Sequence, residues 1–221
     1  MAKVAIYTEV AAKKAFACAL DWPGWARAAK TEELAMEALA AYAPRYAVVA
    51  EAAGLRWPAR LDFEIVQRLK GAGTTEFGVL DKPPKADSEK ITRKSAAHQT
   101  ALLQASWDLF DDIAAHAPAA LRKGPRGGGR DRDKLVEHVV GAEAGYAHAI
   151  GIRKDPKTSD LSPAAIRSRR KQIITVLSAA SDGSPLAGKG WPLRYAVRRF
   201  AWHVLDHAWE IEDKSEPGLS T

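Results

Sequence analysis

Six histidines and one cysteine limit the chemistry open to this 221-residue chain. With Cys18 alone there is neither an intrachain disulfide nor an all-cysteine zinc cage, so metal chemistry falls to histidine. His203 and His207 stand four apart in a segment of helical period from about Pro192 to Asp213. Side chains at i and i+4 are neighbours on a helix, so both imidazoles can reach one ion. Arg199 lies one turn before them and Glu210 almost one turn after, with Phe200, Val204 and Ile211 on one side of the stripe and Trp202 and Trp209 on the other. A polar stripe walled by apolar residues is expected to point inward. Arg194, Arg198 and Glu212, opposite it, are expected in solvent, because unpaired charge is costly to bury. Two buried histidines with polar partners would fit this helix equally well, until His138 is considered. In the segment from about Asp131 to Ile150 it shares a face with Leu135, Ala142, Gly145, Tyr146 and Ala149, while Asp133, Glu137 and Ala144 are expected outward. The small residues leave space beside its ring. Three imidazoles from two facing helices, with further positions open to water or substrate, make a catalytic type of metal site.

His98 falls on the apparent core face of an earlier helix with Ile91, Leu102 and Leu109; it is expected to line the core or, with Tyr146, a substrate pocket, a fourth ligand being the alternative. His116 and His148 read as solvated. Cys18 alternates with Phe16 and Leu20 on one face of a strand and reads as a small core residue.

The elements that carry these residues divide the chain in two. A hydrophobic content of 47% with 27% charged residues excludes disordered, collagen-like and disulfide-scaffold classes. The expected fold class is α+β. Residues 1–80 read as a small α+β unit: a hairpin from Val4 to Val10 and Lys14 to Leu20, a third short strand, one helix from the Thr31 cap to about Ala53, an alternating strand at Leu61, Phe63 and Ile65, and a last β-prone piece near Thr75 to Leu80. Residues 81–87, with Lys82-Pro83-Pro84-Lys85, read as a stiff solvated linker, and 215–221 as a tail. Residues 88–214 read as an antiparallel four-helix bundle: a helix capped by Asp87 or Ser88 and ending near Ala117, then one from Asp131 to Ile150, one from Ser162 to about Asp182-Gly183, and the last from Pro192.

The bundle half resembles the DinB-like (YfiT-like) metalloprotein superfamily. The likeness rests on Leu135-Val136-Glu137-His138-Val139-Val140-Gly141-Ala142-Glu143 and His203-Val204-Leu205-Asp206-His207. It implies that His138, His203 and His207 hold a divalent metal, commonly zinc or nickel. It also implies use of a low-molecular-weight thiol such as mycothiol, bacillithiol or glutathione. The chain departs from the common family ending, with Ala208-Trp209-Glu210-Ile211-Glu212-Asp213 after the second histidine. Residues 3–55 resemble the HicB-like fold of antitoxin proteins through Leu20-Asp21-Trp22-Pro23-Gly24-Trp25 and Thr31-Glu32-Glu33-Leu34-Ala35-Met36-Glu37. That resemblance implies a docking or dimerisation module, a homodimer being one arrangement; the alternative is a hairpin and helix that simply cover one end of the bundle.

The favoured expectation is a metal-dependent enzyme acting on a small-molecule substrate: a thiol S-transferase, isomerase or hydrolase in which the ion activates a thiol or water. Arg199 is placed to pair with a substrate carboxylate and Glu210 to orient an imidazole or accept a proton, a buried ion pair being the alternative for both. The second reading is a non-enzymatic binding protein, antitoxin-like or nucleic-acid-binding. Its support is the net charge of +6 and the basic runs Arg122 to Arg130 and Arg167-Arg169-Arg170-Lys171. No apolar run spans a membrane and no signal peptide precedes the first strand, so a cytoplasmic location is expected.

Overall fold

A computed structural model describes residues 2–124, 128–153 and 161–215. Pro125 and Arg126 of the basic stretch and the tail beyond Ser215 lie outside the described residues. The described chain is mixed α/β, with seven α-helices and one four-stranded mixed sheet.

Strands β1 (Ala2–Val10), β2 (Ala15–Ala19) and β3 (Ala26–Ala29) form an antiparallel meander, and β4 (Leu61–Lys70) pairs parallel to β1, giving the order β3-β2-β1-β4. A parallel partner requires a crossover, here α1 (Glu32–Ala41) and α2 (Ala43–Ala52). Thr31 caps α1 by accepting from the Leu34 N–H. The single helix expected to reach Ala53 is therefore two. Pro44 is tolerated in the first turn of α2 but would break the interior of one continuous helix, so the chain restarts at Tyr42.

β2 is buried throughout because both sheet faces are covered. Ala15, Ala17 and Ala19 face Leu39, Tyr46 and Val49 of α1 and α2, whereas Phe16, Cys18 and Leu20 share a cluster with Leu80 and Trp202. Cys18 is thus the core residue its alternation predicts, and burial pushes its thiol pKa up. The expected strand at Thr75 to Leu80 is absent. Thr75 sits in the helical turn α3 (Gly73–Glu76), and the buried Glu9 carboxylate accepts from the Thr75 hydroxyl and from the Asp81 and Lys82 N–H groups. Those donors are spent on a carboxylate instead of a strand ladder. The Pro-rich segment is held as well, since Lys85 N–H donates to Gln67 and Pro84 is buried.

Four long helices follow: α4 (Arg93–His116), α5 (Arg132–Ala149), α6 (Pro163–Leu177) and α7 (Leu193–Ser215). They pack round Leu103, Trp107, Phe110, Leu135, Val139, Ile173, Leu177, Phe200 and Val204. The start of α4 differs from expectation. Thr92 is its cap, while Asp87 lies in a 3₁₀ turn (Lys85–Ser88) and is buried against α7. α6 stops at Leu177, short of the expected Asp182-Gly183, and the chain beyond it is already extended at Ser181, which exchanges both backbone hydrogen bonds with Ile91.

Two facing assignments are corrected. Arg198, expected in solvent, is only 6% exposed and pairs with Asp87, because the sheet half covers that face of α7. Ala144, expected outward, is buried because α6 packs on that side of α5, where Arg170 bridges Glu143 and Asp111. Within the second basic run, Arg170 is therefore interior and Arg169 donates to the Val140 carbonyl. Among the described residues no helix is long and apolar enough to cross a membrane.

Candidate metal centre

α7 is the scaffold of the site. It packs on the sheet half through Trp202, Leu205 and Trp209 and on the other long helices through Val197, Phe200, Val204 and Ile211, leaving the 199–203–207 stripe facing α5. α5 runs antiparallel to it: His138 meets His203 and His207, and Tyr146, two turns on, meets His203 and Phe200.

The three predicted imidazoles converge. His203 and His138 approach Nε2 to Nε2 at 3.2 Å, and one nitrogen from each of His138, His203 and His207 lies within 4.8 Å of the others. Ring centroids are 4.7–5.0 Å apart. In a tetrahedral zinc site two nitrogens each about 2.0–2.1 Å from the ion stand about 3.3–3.4 Å apart. The 3.2 Å pair already matches that spacing, and a separation of 4.8 Å closes to it with side-chain movements of about 1.4 Å in all.

The electrostatics suit ligands that must be neutral. His203 is 7% exposed, its Nδ1 is buried without a partner, and burial, reinforced by His207, His138 and Arg199, pulls its pKa down to about 2. Burial also lowers His138, helped by His207. His207 is different. Its Nδ1–H donates to Glu210 Oε2 at 2.7 Å, which orients the ring and leaves Nε2 with its lone pair. That hydrogen bond, aided by Lys214, holds Glu210 down to about 2. Lys214 was not singled out from sequence, although its i+4 position after Glu210 is the signal that finds it.

Arg199 and Glu210 do not form the ion pair that the sequence left open. Glu210 is taken by His207 and Lys214. The Arg199 guanidinium lies 4.8 Å from the Trp202 ring centroid and 5.3 Å from that of Tyr146. Tyr146 does line the site, 5.6 Å from His203 ring to ring, and burial raises its pKa against the pull of Arg199. His98 does not: it is exposed. Ala96, Gln99, Thr100, Leu103 and Trp107 define the inward side at that level, and the Leu102 burial that suggested otherwise belongs to a second contact, with the sheet half. His116 and His148 are exposed, as expected.

Gly141 and Gly145 keep α5 open beside His138. Beyond the helix's own adjacent backbone, no atom lies within 4 Å of where a β-carbon on either would sit, and both are exposed. Comparison with protein-family models, curated proteins and solved structures returned no match. The geometry alone carries the functional argument.

Proposed function

We propose that the chain is a divalent-metal-dependent enzyme of the DinB-like kind, with His138, His203 and His207 as the metal ligands and a small molecule as substrate. The observation that carries this reading is the convergence of three imidazole nitrogens within 4.8 Å from two helices, with no cysteine or carboxylate in the donor set. Imidazole donors suit zinc or nickel. An ion held there supplies positive charge that stabilises the anion of a low-molecular-weight thiol or of water near neutral pH, which serves transfer, isomerisation or hydrolysis.

The chain's own residues divide the remaining work. Burial keeps His203 unprotonated and so available as a donor. Glu210 fixes the His207 tautomer by accepting from Nδ1–H, and that hydrogen bond together with Lys214 keeps the carboxylate ionised. Gly141 and Gly145 leave room for a substrate next to His138. Elemental analysis of protein purified without a polyhistidine tag is expected to give about one divalent ion per chain, lost in His207→Ala along with turnover over a panel of thiols and electrophiles. Full activity in metal-depleted His207→Ala protein would refute the reading.

A further inference from the structure

Arg198 and Arg199 are neighbours on α7, and the fold treats them differently. Arg198 meets the buried Asp87 carboxylate and donates to the Leu20 carbonyl at 3.4 Å. Other guanidiniums held in the fold find acids in the same way: Arg170 with Glu143 and Asp111, and Arg27 with Asp206. Arg199 has no carboxylate within ion-pair distance among the described residues, and its Nε and Nη1 are buried without a hydrogen-bond partner. What lies against it instead is the rings of Trp202 and Tyr146, at 4.8 and 5.3 Å, and the Tyr146 hydroxyl, on which it acts by charge and by hydrogen bonding. These rings also touch His203, at 6.0 and 5.6 Å, so the guanidinium and the imidazole cluster share walls.

The small cavity that Arg199 lines together with Tyr195 and Trp202 measures about 10 Å³, room for about one water. One water can accept a hydrogen bond but brings no counter-charge to this half-buried guanidinium. On α5, the neighbour of Tyr146 is Gly145, which is exposed with open space at its β-carbon position. Room, a planar cation without a carboxylate partner and His203, the nearest of the three histidines, therefore lie within about one helical turn, roughly 5.4 Å along the axis.

We propose that Arg199 is the anion-recognition half of the site and that the substrate class is a small carboxylate, its two oxygens on the guanidinium fork and a second polar group about one helical turn away at the histidines. The inference rests on the metal-centre reading for what happens at the histidines; the anion site rests on the surroundings of Arg199 alone. A guanidinium stacked on rings presents a planar fork of N–H donors that a carboxylate matches and an alcohol does not. Lysine keeps the charge but loses the fork.

Calorimetric titration with 3-mercaptopropionate and 3-mercaptopropan-1-ol, in metal-loaded and metal-free full-length protein, tests this directly. The acid is expected to bind at least about tenfold more tightly than the alcohol to the loaded protein, with the preference abolished in Arg199→Gln and reduced in Arg199→Lys while metal content is unchanged. Equal affinity for the two probes, or a preference that survives in Arg199→Gln, overturns the proposal. Bound metal without carboxylate preference would defeat the anion site and leave the metal reading standing. Conversely, an Arg199-dependent carboxylate preference in protein that takes up no metal would defeat the metal reading and keep the anion site. If Arg199→Gln fails to fold, the wild-type preference together with its reduction in Arg199→Lys decides.

Discussion

His203 is a histidine that the fold keeps uncharged, and that has a measurable consequence in the metal-free protein. Its folded pKa, about 2, lies below the ordinary value of about 6.5, so the unfolded chain binds the extra proton first as pH falls. Stability is therefore fully present above about pH 6.5 and declines as pH drops from there toward about 2. Urea unfolding of the metal-free protein at pH 7 and pH 5 is expected to show this loss, and His203→Leu should lessen it. An identical pH dependence in the two proteins would argue against burial as the cause. Glu210 acts through His207, so Glu210→Gln is expected to retain the metal but weaken it about 10–100-fold, read by competition with a chelator. The convergence of His138, His203 and His207 was legible from sequence, because i, i+4 spacing and one inward histidine on a facing helix need only helical geometry. The facing of His98 was not. A wheel drawn from Leu102 and Leu109 merges two contacts of α4, one with the other long helices and one with the sheet half.

At the scale of the element, α7 has almost no solvent face. Its buried residues include Ala196, Val197, Arg198, Phe200, Ala201, Trp202, His203, Val204 and Leu205, which together go all the way round the axis. Sequence reading gave Arg198 to water because an amphipathic helix normally keeps one polar side exposed. What it lacked was Asp87, more than a hundred residues earlier, which makes burial of that guanidinium tolerable. Breaking such a pair by removing one partner is far more harmful than replacing both, since the survivor is left charged and unsolvated. Asp87→Ala is expected to cost about 3–5 kcal/mol in chemical denaturation, with Asp87→Ala/Arg198→Met recovering much of it. An Asp87→Ala protein as stable as wild type would mean that Arg198 finds compensation elsewhere. The ends of α5 and α7 were legible within about two residues, and the break before α2 would have been had Pro44 been given its weight.

At the scale of the molecule, the change of composition near residue 81 suggested two units, yet one apolar cluster draws on both sides of that boundary. Leu102, Ala105, Leu205 and Trp209 pack with Val4, Ile6, Leu39, Tyr46 and Val49. The turn after β2 is pressed against α7 as well: a β-carbon on Gly24, at φ +93°, would sit 2.7 Å from Leu205 Cδ1 and 3.0 Å from the Ala201 backbone. Arg27 pairs with Asp206, between the two α7 histidines, and stacks 3.9 Å over the Tyr42 ring. Periodicity reports that a face is apolar but not what covers it, so the sequence offered this docking only as an alternative to a separable unit. The same contacts place the sheet half directly behind the helix that supplies His203 and His207. A fragment beginning at Lys85 would expose Leu102, Trp202, Leu205 and Trp209 together, a contiguous apolar surface that favours association over solubility. Such a fragment is expected to lose cooperative melting and to bind metal more weakly than the full chain. Circular dichroism, gel filtration and metal content would check this. A monomeric, cooperatively melting fragment with full metal occupancy would establish the opposite, that α4 to α7 hold their histidines in place without the sheet half.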